Sequence, residues 1–170
     1  MRQFTMTLGQ VNFFYSILNN QKLCPMADLG SMRKANKVFD SIESTVVEFE
    51  LKINKLKKEF GEKIRKEKNE RGQEVKIKYI PLSTKERENN REEYLDKLEE
   101  LGKPTKTFHC EREALEFVKR MFSEVPKRLY KKGNDKESES GLGGRYNIKM
   151  FSEVVSALED AREVDKHTKK

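Results

Sequence analysis

One row of apolar residues constrains this chain more than any other feature. Ala35, Phe39, Ile42, Val46, Phe49, Ile53, Leu56, Phe60 and Ile64 follow one another at spacings of 4, 3, 4, 3, 4, 3, 4 and 4. That alternation keeps every member on one side of an α-helix, as in the seam of a coiled coil. The spacing predicts a helix from Ser31 to about Asn69, roughly 57 Å long at 1.5 Å per residue, which is longer than a compact domain of 170 residues is wide. Part of the helix is therefore expected to protrude as an arm. Burying each seam residue contributes roughly 1.5–3 kcal/mol, whereas a wet apolar row drives association. Ile42, Val46, Phe49, Ile53, Leu56 and Phe60 are thus the expected contact seam. Either another helix of the same chain or a protein partner, a second copy included, closes it.

The flanking segments read as short strands and helices. Arg2–Met6 alternates as a strand does, and Thr7-Leu8-Gly9-Gln10 has the form of a capping box opening a helix whose apolar face is Leu8, Val11, Phe14, Tyr15 and Leu18. Arg71-Gly72-Gln73 is expected to break the long helix, and residues 74–80 to form a half-buried strand ahead of Pro81. Ser83-Thr84-Lys85-Glu86 then reads as a second capping box, for a charged helix ending near Gly102. Thr105–Cys110 is expected to return as a strand against Val75–Ile80. Ala114, Val118, Met121, Val125 and Leu129 mark a third helix, Tyr146–Lys149 a short strand, and Phe151, Val154, Val155, Leu158 and Ala161 a last helix. Residues 133–144 are rich in Gly, Ser and acids, as a mobile loop is, and residues 165–170 read as a disordered tail. Leu, Ile, Val and Phe supply 41 of 170 residues, about 24%, above the roughly 20% floor for a packed core. The expected class is α+β, mostly α: one domain in which residues 31–102 form a helical-hairpin arm on a small base with short strands.

Charge is distributed more tellingly than its total of +7. Residues 51–78 hold eleven Lys or Arg against five Glu, residues 119–136 seven bases against two acids, and residues 83–101 seven acids against four bases. A basic helix lying beside an acidic one would account for this, and so would a surface that neutralises phosphates. On the second reading the candidate phosphate contacts are Lys57, Lys58, Lys63, Arg65, Lys66, Lys127, Arg128 and Lys131. No helix-turn-helix, zinc-finger or aromatic RNA-binding signature accompanies them.

Catalytic equipment is sparse. The two histidines are His109 and His167, and the two cysteines, Cys24 and Cys110, are far apart in sequence. His109 and Cys110 adjoin each other in an expected strand, where neighbours point to opposite faces. The set lacks zinc-ligand spacing, and Gly141-Leu142-Gly143-Gly144-Arg145 lacks the strand, helix and Lys-Ser/Thr pair of a phosphate loop. We therefore expect no enzyme activity, no metal, no cofactor and no small-molecule substrate. With no apolar run near the roughly 18 residues of a membrane span and no signal-peptide stretch, the expectation is a cytoplasmic protein without membrane contact.

The order of a short strand, an aromatic helix (Val11-Asn12-Phe13-Phe14), a long charged helix, a break at Gly72-Gln73-Glu74 and a second charged helix is similar to that of small tailed-phage proteins to which no function has been assigned. The resemblance implies a phage origin and a host-cell cytoplasmic setting. It brings no catalytic residue with it. In that setting a non-enzymatic interaction protein would suit an inhibitor of a host or defence complex or an assembly factor, with nucleic-acid binding through the basic arm as the alternative.

Overall fold

A computed structural model describes residues 1–60, 63–79, 84–126 and 148–164. In chain order the elements are β1 (Arg2–Thr7), α1 (Leu8–Leu18), α2 (Leu29–Glu59), β2 (Lys63–Lys68), β3 (Glu74–Tyr79), α3 (Thr84–Gly102), β4 (Thr105–Cys110), α4 (Arg112–Ser123), α5 (Ile148–Glu159) and β5 (Arg162–Glu163). The fold is α+β and mostly α, with one long helix and short strands.

Local chemistry explains where the elements begin. Phe4 and Met6 are buried while Thr5 between them is exposed, the period of two expected of a strand with one covered face. At Thr7 the strand hands over to α1: the Thr7 hydroxyl accepts from the Gln10 N–H at 3.2 Å, and Gln10 Oε1 accepts from the Thr7 N–H at 2.9 Å. Two orphan helix-end donors are satisfied reciprocally. Asp28 caps α2, with Oδ1 accepting from the Ser31 N–H at 2.8 Å and Oδ2 from the Ser31 hydroxyl at 2.8 Å. The backbone donor of Ser31 is the main reason the Asp28 carboxyl is held below its ordinary pKa.

Two sheets form. In one, β1 lies between β4 and β5, antiparallel to both, with Phe4 opposite Phe108 and Arg2 opposite Glu163. The other is the pair β2–β3 alone. The expected partner of Thr105–Cys110 was the strand at 75–80, and the structure corrects this: β4 pairs with β1 over its whole length. Phe4 and Phe108 meet at 5.4 Å between ring centres and send the inner face of β1 and β4 into the core. A pairing with β3 would have left both rings without that contact. Ile148 and Lys149, expected in a strand, open α5 instead. Position 148 continues the helical period of Phe151, Val154, Val155 and Leu158, and Lys149 falls on the exposed side.

The core gathers α1, α4, α5 and the first two thirds of α2 over the three-stranded sheet. An aromatic chain runs through it: Phe14 meets Phe122 edge-on at 5.3 Å, Phe122 stacks on Phe151 at 4.4 Å, and Phe13 meets Phe151 edge-on at 6.4 Å. Such ring pairs add roughly 0.5–1.5 kcal/mol beyond their buried area. Ion pairs of Lys37 with Glu111 and of Lys106 with Glu48 hold α2 alongside β4. Beyond Phe49, the neighbour of α2 is α3: Phe60 meets Tyr94 edge-on at 5.5 Å, and the Lys97 ammonium sits 5.1 Å from the Phe60 ring centre. The close of α3 abuts the start of α1, where the backbones of Gly102 and Gly9 pass in van der Waals contact.

The long helix is shorter than its seam predicts. It ends at Glu59, with Phe60 as its C-cap, and Ile64 lies in β2 rather than on a helix face. Two sequence signals account for this: the break in the 4-3 alternation between Phe60 and Ile64, and Gly61 just beyond the cap, a usual helix stop. The expected loop at 133–144, the tail at 165–170 and Leu129 lie outside the described residues.

Candidate nucleic-acid interface

The β2–β3 ribbon is built from its turn outward. Asn69 N–H donates to the Gln73 carbonyl at 2.9 Å and Gly72 N–H to the Asn69 carbonyl at 2.8 Å, closing a three-residue loop. The Asn69 side-chain oxygen accepts from the N–H groups of Arg71 and Gln73 at 3.0 and 2.9 Å. Gly72 has φ of +74°, the left-handed conformation this loop requires and that a side chain would strain. Residues 71–73, expected only to interrupt a helix, are thus the hinge of a hairpin, and the strands on either side pair from Lys63↔Tyr79 to Lys68↔Glu74.

Among the described residues, no other element packs extensively on this ribbon. Across residues 63–79 the sequence carries seven Lys or Arg against three Glu. Lys66, Lys68, Arg71 and Lys76 are exposed, and Lys66 stands directly opposite Lys76 in the ladder. Like charges in that position destabilise a strand pair, and a two-stranded ribbon by itself has little stability to lose. The Lys66 ammonium meets Glu74 at 3.7 Å, an exposed pair that offsets little of the repulsion. Charge density of this kind is met best by an external anion.

The sequence candidates divide accordingly. Lys63, Arg65 and Lys66 are brought together on β2, while Lys57 and Lys58 lie in the last turn of α2, the first half-buried and the second exposed. Lys127, Arg128 and Lys131 lie outside the described residues. Lys68 belongs with the basic residues the sequence marks on this stretch, whereas sequence reading missed Arg71, Lys76 and Lys78 as members of the same site. The pattern Asn69…Gly72 between two alternating segments was the signal that would have found them.

Of the two closures the seam's spacing allowed, the chain takes the internal one. Ile42, Val46, Phe49 and Leu56 are buried within the chain, and Ile53 and Phe60 half-buried against α3. The chain closes its own seam, so these side chains offer no continuous surface to a partner. Among the remaining sequence candidates, Cys24 and Cys110 are buried, and Cys110 points its sulfur at the Lys37 carbonyl at 3.7 Å while His109 faces out. Burial pushes the Cys110 thiol up from its ordinary pKa, the reverse of what a nucleophile needs. No group of three or more His, Cys, Asp or Glu side chains among the described residues could hold a metal ion. A groove of about 690 Å³ lies between β1 and α5 and is lined by Gln3, Thr5, Gln10, Ser152, Glu153 and Asp160 among others, without a histidine or cysteine. None of the described helices is long and apolar enough to cross a membrane. No protein family, curated protein or solved structure gave a match to this chain.

Proposed function

We propose that this chain is a non-enzymatic binding protein that engages nucleic acid through the basic ribbon at the end of its α2–α3 arm. The observation that carries the reading is the pairing of Lys66 with Lys76 on a ribbon that, among the described residues, no other element covers extensively. Farther down α2, Lys52 and Lys55 line a groove together with Glu100 of the acidic α3. The ribbon lies beyond that groove and keeps its excess charge. Four lysines on phosphates would give a slope of log affinity against log salt of about −3.6, a loss of roughly a hundredfold between about 50 and 200 mM salt. Anisotropy titration of a labelled oligonucleotide measures this directly. Lys66→Glu with Lys76→Glu is expected to abolish binding at all salt concentrations, and a chain that binds no oligonucleotide at low salt ends the proposal.

A second reading is favoured by a separate observation. Val47 and Leu51 lie one turn apart on the outer side of α2 and are 50% and 63% exposed. On this reading they contact another protein or a second copy, as an inhibitor or assembly factor from a phage would. Light scattering of wild type and the Val47→Asp, Leu51→Asp variant tests the self-association arm, which requires a dimer that the variant loses.

A further inference from the structure

We propose that the lysine face of the β2–β3 ribbon enters the major groove of B-form duplex DNA, an inference that rests on the nucleic-acid reading above and names its substrate class. The register sorts the ribbon into two unlike faces. Positions 64, 66 and 68 share one face with 78, 76 and 74, so Lys66, Lys68 and Lys76 fall together with Glu74. Positions 63, 65 and 67 share the other with 79, 77 and 75, which collects Tyr79, Ile77 and Val75 beside Lys63, Arg65 and Glu67. One face thus carries lysines on both strands and the other mixes apolar and charged residues.

Size selects among the grooves. Each strand has six residues, which at about 3.4 Å per residue makes a ribbon roughly 20 Å long, the length of about six base pairs. Two strands about 4.8 Å apart with their side chains fit a major groove about 12 Å wide and not a minor groove about 6 Å wide. A-form RNA has a major groove too deep and narrow for side chains to read. Single strands are held by aromatic stacking between basic contacts, and the ribbon's one aromatic position, Tyr79, falls on the face away from Lys66 and Lys76. Lysine ammonium groups are donors only, which suits them to phosphate oxygens and to the O6 and N7 acceptors of guanine. A three-residue turn with Glu70 and Arg71 at its exposed tip leads the ribbon in.

The test uses the full chain with a labelled DNA duplex of about 20 base pairs, an RNA duplex of the same sequence and the single DNA strand. The expected result is binding to duplex DNA at least about tenfold tighter than to either other ligand, equivalent to about 1.4 kcal/mol, with guanine N7 shielded from methylation within the bound segment. Lys66→Gln with Lys76→Gln is expected to remove that shielding and lower the salt slope by about two, while circular dichroism confirms an unchanged fold. RNA duplex or single strand bound as tightly as duplex DNA, or duplex bound with guanine N7 still open, overturns the groove assignment and leaves the nucleic-acid reading standing. Failure to bind any of the three overturns both.

Discussion

The two halves of α2 carry the same seam to different ends. From Ala35 to Val46 its apolar side meets α1 and α4, and Ala35, Val38, Ile42 and Val46 are almost wholly buried. From Phe49 to Phe60 the same row meets α3, and burial loosens: Phe49 and Leu56 stay covered while Ile53 and Phe60 are partly open. The body holds its part of the helix with several layers, the arm with one. A continuous hydrophobic period therefore does not imply uniform stability along a helix. What matters is how many elements reach it, and the thinly covered end bears the charged ribbon.

The comparison breaks first if core truncation is mild. Phe122 has no exposed surface and touches both Phe14 and Phe151, so Phe122→Ala is expected to remove about 3–5 kcal/mol, a large share of the roughly 5–15 kcal/mol that holds a domain together. Urea unfolding followed by circular dichroism reads this. Leu56→Ala, in the arm, is expected to lose less, about 2 kcal/mol. An equal loss at the two sites would mean that arm and body unfold as one unit of uniform strength. Gly72→Val sharpens the contrast: it places a β-branched residue at φ of +74°, a strain of about 1–2 kcal/mol. Amides of β2 and β3 should then exchange faster while the urea midpoint of the body stays where it was. The smallest effect concerns the start of α2. Because Asp28 is held below its ordinary value of 3.8, chiefly by the Ser31 backbone donor, its ionised form adds stability above that pH, and the gain disappears as pH falls through the lowered value. Asp28→Asn is expected to be slightly less stable than wild type at neutral pH and to converge with it on acidification, as paired thermal melts would record.

Much of this was legible in the sequence, and what failed did so for local reasons. The capping box at Thr7 and Gln10 was readable because its bonds join residues three apart. The seam from Ala35 to Phe60 was readable because a helix repeats its face every turn. The segment from Lys63 to Lys68 was misread as helix because Lys, Arg and Glu are good helix formers. The turn at Asn69 to Gly72 and the ladder to β3 outweighed that preference. Of the candidate site, the four basic residues on β2 were anticipated and those on the turn and β3 were not, since they join the site only once the hairpin pairs.

By itself, then, the amino-acid sequence determined the amphipathic faces, the helix starts and the concentration of positive charge between residues 51 and 78, all of which follow from interactions within a turn or two. Only the tertiary structure decided that α1, α3 and α4 close the seam, that β4 pairs with β1, and that β2 and β3 pair in a sheet of their own. Hydrophobic attraction has no direction and records no partner. Which apolar face meets which is settled by packing among residues remote in the chain.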